Sequence, residues 1–304
     1  MTDGPQLAFF TEEDGHYLPL PLARSLWGAD TLTGPAVCGI AARAAENDYG
    51  REGFRPTRFT IDLFKSAKGL PTRTAGRILR DGGRIRVVEV DVVQDKPVQD
   101  KPAGEGTDEV LVARSTTVFL KESANPPGGR WFNPADDVIA RDIPTPEQQA
   151  AAAGGFNGEG PWDPALAPWF GSDGNWSNDM GVNQTDGQKA VWSRSASVVA
   201  GVQPTPFERT VMASEATSLM GNWGTEGIAF INCDLTVALS RLPVDGRIHV
   251  RAESHTEHDG ISTSSTGLYD SRGRFGTGMV TAVNNVAAQI DFANVDMEGH
   301  YAES

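Results

Sequence analysis

The sequence predicts an α+β chain in which one unit is used twice, each unit a helix wrapped by an antiparallel meander of strands. Two observations carry this expectation. The stretches FTIDLFKSAKGLP (Phe59–Pro71) and FINCDLTVALSRLP (Phe230–Pro243) both hold Asp-Leu, then six residues, then Leu-Pro. Asp62, Leu63, Leu70 and Pro71 answer to Asp234, Leu235, Leu242 and Pro243, each 172 positions later. A helix signal precedes each copy at the same distance: Thr33 lies 29 residues before Asp62, and Thr205 lies 29 before Asp234.

In the first unit, TGPAVCGIAARAAEN (Thr33–Asn47) reads as a helix, with Thr33 as cap and Pro35 in the first turn. Its apolar positions Val37, Ile40, Ala41, Ala44 and Ala45 recur at helical spacing. They are mostly small, which suits close packing on a sheet. Strands are expected at Arg58–Lys65, Thr72–Arg80, Arg84–Val93 and Glu109–Lys121. In the third, alternation changes parity near Val87 and Val88, which calls for a bulge or burial on both faces. The doubled QDKP between the last two reads as an extended hairpin loop.

Residues 125 to 190 differ in character, being rich in Pro, Gly, Asp and Trp with little periodicity. They read as a connector over the surface, anchored by Trp131, Trp162, Trp169 and Trp176, with PTPEQQAAAAGG as its one short helix. The second unit then repeats the order. A helix over Thr205–Leu219 precedes strands at Ile228–Leu239, Arg247–His255, Ile261–Tyr269 and Phe275–Val283, and the tail after Asn285 is weakly patterned. A helix wrapped by such a meander is the hotdog arrangement, and two in one chain make a double hotdog whose sheets pair edge to edge. The expected division is 1–124, an N-terminal hotdog; 125–190, the connector; and 191–304, a C-terminal hotdog. Edge-to-edge pairing is also how separate subunits form a dimer, so a homodimer is among the assemblies expected.

Composition narrows the function. The net charge of −14 argues against nonspecific nucleic-acid binding. No apolar run reaches the length of a membrane span, and MTDGPQLAFF lacks the pattern of a signal peptide. A cytoplasmic protein is expected, with Cys38 and Cys233 as reduced, buried thiols. From Arg51 to Arg86, ten Lys or Arg face three acids. That patch reads either as a surface built to meet an anion or as edge charges that deter aggregation. No G-x-S-x-G occurs. His255 and His258, in a predicted turn, fit no standard metal spacing, so neither metal nor cofactor is expected.

Taken in order, TGPAVCGIAARAAE, FRPTRFTIDLFKSA, GRIRVVEVDVVQ, ARSTTVFL, PTPFERTVMASEATSLMGNWG, FINCDLTVALSRLP and DGISTSSTGLYDSRGRFGTG resemble the acyl-CoA thioesterase II (TesB-type) superfamily, in particular its thioesterase-like double-hotdog members. The resemblance implies hydrolysis of an acyl-CoA to a carboxylic acid and coenzyme A, within fatty acid metabolism. Relatives of this type hold and activate a water with an Asp, a Thr and a Gln. Those positions fall on Glu215, Asn232 and, near the end, Thr281, so all three residue types differ here. Glu215 would act as the general base and Asn232 would orient the water, with backbone N–H groups near a helix start meeting the oxyanion. The other reading makes Glu215 a solvated helix residue and Asn232 a structural amide. The loop NWGTEG resembles the family's loop at the acyl pocket, so Asn222 and Trp223 are candidate pocket residues, although Trp223 also suits ordinary core. Arg73, Arg77 and Arg80 are candidates for the coenzyme A phosphates. The alternative function is a noncatalytic acyl-thioester binding protein that kept the pocket and lost the triad.

Overall fold

Helix α1 (Gly34–Tyr49) buries nine residues from Ala36 to Ala45, most of them alanine or glycine, so it is enclosed on several sides rather than along one stripe. The computed structural model describes residues 7–28, 30–97, 107–134, 136, 168–194, 196–244 and 246–295. Before α1 comes the hairpin of β1 (Ala8–Glu13) and β2 (His16–Pro19). After it come β3 (Phe54–Leu63), β4 (Thr72–Asp81), β5 (Ile85–Pro97) and β6 (Thr107–Lys121). The first sheet runs β2-β4-β5-β6-β3. Its inner face puts Val88, Val90 and Val92 against the helix, each with no exposed surface.

The parity change expected near Val87 and Val88 is present, but the extra residue lies on the partner strand. Ile78 pairs with Val88 and Arg80 with Val87, leaving Leu79 unmatched in β4. The QDKP loop falls partly on 98–106, outside the described residues.

The second half of the chain follows a matching order. β7 (Trp169–Ser172), β8 (Asn175–Ser177), β9 (Lys189–Arg194) and β10 (Ser197–Val199) come first. Then come β11 (Trp223–Gly224), β12 (Gly227–Ile228), β13 (Phe230–Asn232), β14 (Asp234–Leu239), β15 (Arg247–His258), β16 (Ile261–Asp270) and β17 (Gly273–Asn284). The order β14-β17-β16-β15-β9 repeats β3-β6-β5-β4-β2. Each antiparallel set wraps its own helix, which makes the chain a double hotdog.

The halves join at β3 and β14. Asp62 pairs with Asp234, Ile61 with Leu235 and Phe59 with Val237, and the Leu63 N–H donates to the Cys233 carbonyl at 2.8 Å. Asp62 and Asp234 are the residues that the 172-residue offset makes equivalent, so a pseudo-twofold axis passes between them. Phe59, Ile61, Leu235 and Val237 are at most 1 % exposed on the inner side, where Phe207 stands edge-on to Phe59 at 6.2 Å.

Several expectations change. The second helix is two pieces, α2 (Pro206–Ser214) and α3 (Ala216–Asn222), with the break at Glu215. Thr210 and Ser214 donate their hydroxyls to the carbonyls of Pro206 and Thr210, a back-bonding pattern that bends helices. The strand expected over Ile228–Leu239 is split among β12, β13 and β14. The connector expected over 125–190 is ordered from Trp169 onward, because β7 and β9 extend the second sheet beyond β15. Residues 137–167, with Trp162 and PTPEQQAAAAGG, lie outside the described residues. Trp169 is buried, but Trp131 is 83 % exposed and anchors nothing there. Cys38 is buried, whereas Cys233 is exposed; both are free. His255 and His258 sit on β15, not in a turn; the turn is Asp259–Gly260, with φ of +52° and +77°. Two more hairpins turn on Asp14–Gly15 and Asp173–Gly174 at positive φ, the Asp-Gly chemistry such turns favour. Within the described residues the tail after Asn285 packs on the second half, since Ile290 and Ile228 exchange backbone hydrogen bonds and Phe292 packs on Trp223. No helix among the described residues is long and apolar enough to cross a membrane.

Cutting Leu235 to Ala should cost about 2–5 kcal/mol and, because one seam serves both halves, lower the denaturation midpoint of both together. Circular dichroism and tryptophan fluorescence should shift in step. His249, without exposed surface, stacks on Trp192 at 4.7 Å with Trp176 and Tyr269 around it, and neither ring nitrogen has a partner. Burial, with the Arg251 charge second, lowers its pKa to about 3 from 6.5. Below pH 6.5 the unfolded chain takes up a proton that the folded one refuses, so this residue removes about 1.4 kcal/mol of stability per pH unit down to about pH 3. His249→Phe should flatten that part of the acid slope in denaturant titrations.

Candidate active site at the start of helix α1

Glu215, at the junction of α2 and α3, reaches across to the first turn of α1. A β-carbon placed on Gly34 would lie 2.1 Å from Glu215 Oε1, so only glycine leaves room for the carboxyl there. The close approach of the two helices is prepared at Gly39, where a β-carbon would stand 3.2 Å from Met212. The start of α1 has no side-chain cap: Pro35 has no N–H to offer and the Ala36 and Val37 N–H groups donate to the Thr33 carbonyl, which leaves the Gly34 N–H.

Asn232 Nδ2 donates to Glu215 Oε1 at 3.4 Å and to the Asp234 carbonyl at 3.2 Å. A bulge at Cys233 and Asp234 aims this amide. Asn232 pairs with Ala282 in β17, yet Thr236 pairs with Met279, a slip of one residue. Asp234 fills the bulge by accepting the Thr281 N–H at 2.6 Å. Asn232 and Leu235 therefore share the inner face although strict alternation would separate them. Burial raises the pKa of Glu215 to about 7, and the Asn232 hydrogen bond opposes the shift. The thiol of Cys38, in α1, is pushed up by burial and then by the Glu215 charge.

Glu215 lines a cavity of about 340 Å³ whose walls are chiefly Phe9, Phe170, Val191, Met212 and Leu219, with the exposed Arg194 at the rim. A carboxyl that is half protonated near neutrality, a fixed amide and the Gly34 N–H beside an apolar cavity can together activate a water next to a bound apolar ligand.

The mirror position lacks this chemistry. The equivalent of Glu215 is Arg43, whose guanidinium pairs with Glu208 at 3.3 Å and Glu12 at 3.8 Å. The start of α2 is closed by its own capping box, Thr205 and Glu208 exchanging hydrogen bonds of 3.1 and 3.0 Å. Thr60, the equivalent of Asn232, faces outward and donates to the Thr116 carbonyl. One half builds a site; the other closes it.

The remaining candidates are not brought to Glu215. Thr281 lies on the outer face, its hydroxyl 3.1 Å from the exposed Cys233 sulfur, because its neighbour Ala282 takes the inward place. Arg73 and Arg77 are also on the outer face. Arg73 is bonded to Glu109 and lies 3.7 Å from Asp95, and Arg77 lies 2.7 Å from Glu89. Arg80 shares that face, opposite Val87. Asn222 and Trp223 line a different cavity, of about 450 Å³, at the far end of α3. Asn222 accepts from Ser262 at 2.7 Å, and Trp223 is buried against Phe170 and Phe292. Gly34 and Arg194 escaped sequence reading; a glycine directly after the cap Thr33 was the available signal for the first.

Comparison with known proteins bears out the resemblance at the level of fold and domain. Residues 134–278, just under half of the chain, match the family model described as acyl-CoA thioesterase C-terminal domain. Among solved structures, a TesB protein of Mycobacterium avium subspecies paratuberculosis is similar over 90% of this chain and 95% of its own, at 13% identity and a TM-score of 0.56. A hot dog fold protein of Alicyclobacillus acidocaldarius, described as of unknown function, covers 91% and 96%, at 13% and 0.61. An acyl-CoA thioesterase II of Mycobacterium marinum covers 91% and 94%, at 12% and 0.53. Comparison with curated proteins gives no match. The chain thus has the double-hotdog fold, and within it residues 134–278 match the model of the acyl-CoA thioesterase C-terminal domain.

Gly34→Ala should displace the Glu215 carboxyl toward solvent and bring its pKa down toward 4.5, the ordinary value. Carbon NMR titration of that carboxyl should show the lower midpoint, with the fold retained.

Proposed function

We propose that the protein is an acyl-CoA thioesterase, hydrolysing an acyl thioester to a carboxylic acid and coenzyme A with Glu215 as general base. The observation that carries this reading is the Glu215 carboxyl, raised to about 7, set in the wall of an apolar cavity against the uncapped start of α1. The acyl chain occupies the cavity and the thioester carbonyl lies at its Glu215 end. Ionised Glu215 takes a proton from a water oriented by the Asn232 amide. The resulting hydroxide adds to the carbonyl carbon, and negative charge on the oxygen is met by the Gly34 N–H at the positive end of α1. Collapse breaks the carbon–sulfur bond, and the proton held by Glu215 passes to the departing thiolate. Among the described residues Arg194 is the cation that lines this cavity, and it takes the coenzyme A phosphate in place of the outward-facing Arg73, Arg77 and Arg80. The cytoplasmic setting and the role in fatty acid metabolism expected from the sequence belong to this reading.

A second reading, a noncatalytic acyl-CoA binding protein, is favoured by one observation. Thr281 faces away, so the site has two side chains where the resemblance implied three. Release of free thiol from a panel of acyl-CoAs separates the two readings. Turnover that falls about 100-fold or more in Glu215→Gln supports the enzyme. Binding of a nonhydrolysable acyl-CoA without turnover supports the binding protein.

The pH dependence has a definite sign. The base must be ionised, so kcat/KM should rise about tenfold per pH unit up to about pH 7 and level above it. At pH 5 it should stand about 100-fold below the plateau.

A further inference from the structure

The cavity beside Glu215 and the larger one at the far end of α3 are separated by a thin partition. Glu215, Leu219 and Trp223 follow one another at four-residue spacing, about 6 Å of rise per step. The first two line the Glu215 cavity and the third lines the other. Phe170, from β7, closes the gap. It lines the Glu215 cavity and stands edge-to-face on Trp223, ring centroids 5.7 Å apart and planes at 88°. Trp223 cannot yield easily. Phe292 packs on it at 5.2 Å, and the Lys189 ammonium lies 5.7 Å from its ring centre. That ammonium is itself fixed, donating to the carbonyls of Thr185 and Gly187 at 2.8 and 2.7 Å and to the Thr185 hydroxyl at 3.0 Å.

The two compartments differ in chemistry. The Glu215 side is walled by aliphatic and aromatic groups, whereas the far side carries Asp186, Gln188, Asn222, Glu253 and His255. An alkyl chain gains free energy in the first and would have to desolvate polar groups in the second. At about 30 Å³ per small non-hydrogen group, 340 Å³ holds about eleven such groups.

We propose that the Phe170–Trp223 pair is the end stop of the acyl cavity and restricts the substrate to acyl chains of about ten carbons or fewer. This rests on the function proposed above and deepens it. Phe170 and Trp223 set length rather than chemistry, since neither side chain carries a titratable group. Trp223 thereby keeps the part in substrate choice that its sequence position suggested, acting through Phe170 from behind the wall.

The test uses the saturated fatty acids themselves, six to sixteen carbons long, so that it does not depend on turnover. Binding to the full chain is measured by displacement of a fluorescent fatty acid. For the wild type, affinity should rise about fourfold per added methylene (about 0.8 kcal/mol) and stop rising near ten carbons. Phe170→Ala should move that break to longer chains by at least two carbons. Because this variant also loses core packing, Leu219→Trp supplies the opposite arm, narrowing the cavity and moving the break to shorter chains. A break that neither folded variant moves overturns the end stop while leaving the acyl cavity standing. Absence of binding at every length overturns both the end stop and the acyl reading of the cavity. Acids of sixteen carbons bound by the wild type as tightly as the fourfold series extrapolates would overturn the end stop alone.

Discussion

Everything in this molecule is positioned by the antiparallel pairing of β3 with β14. Five residue pairs and the flanking Leu63 to Cys233 hydrogen bond make two sheets continuous, and the inward side chains Phe59, Ile61, Leu235 and Val237 exclude water on the helix side. Burying an aliphatic or aromatic side chain of this kind contributes about 1.5–3 kcal/mol. The cost at the same line is the pair Asp62 and Asp234, like charges directly opposite, a placement that disfavours pairing. Asp234 offsets part of it by accepting the Thr281 N–H. Once the seam is fixed, the helices must cross with their starts reciprocated, and position 215 has nowhere to go but the start of α1.

That symmetry makes two equivalent places for a site, and the side chains use them oppositely. At one, Arg43 neutralises Glu208 and a capping box satisfies the helix start, so no ligand is needed to complete it. At the other, the helix start is left uncapped, the facing residue is a carboxyl with a raised pKa, and a bulge turns an amide toward it. The polar groups of the second place are incomplete without a ligand, water or both, which suits it to be a site.

The repeat was legible because it is written in local chemistry. Asp-Leu and Leu-Pro recur at one offset, and both helix starts pair a threonine with a proline in the first turn. The β4 bulge was half legible: the parity change at Val87 and Val88 was visible, but which strand holds the extra residue depends on pairing. Thr281 was misplaced because β17 alternates without a break there: Val280 and Ala282 face inward, and Thr281 between them faces out. Arg73, Arg77 and Arg80 made a basic run along the chain, yet their partners Glu89, Asp95 and Glu109 come from neighbouring strands and turn the patch into ion pairs for the first two.

The sequence by itself determined the duplicated plan, the helix positions and most strand spans, while its resemblance to a family singled out Glu215 and Asn232 as the pair to watch. Periodicity, capping residues and spacing act over a few neighbouring residues, and a chain spells them out in order. Only the tertiary structure decided that Gly34 makes room for Glu215, that Arg43 shuts the mirror site, and that Phe170 stands between Leu219 and Trp223. Each of these joins residues about fifty positions apart or more, and such contacts are set by strand register and helix crossing, which no single segment carries.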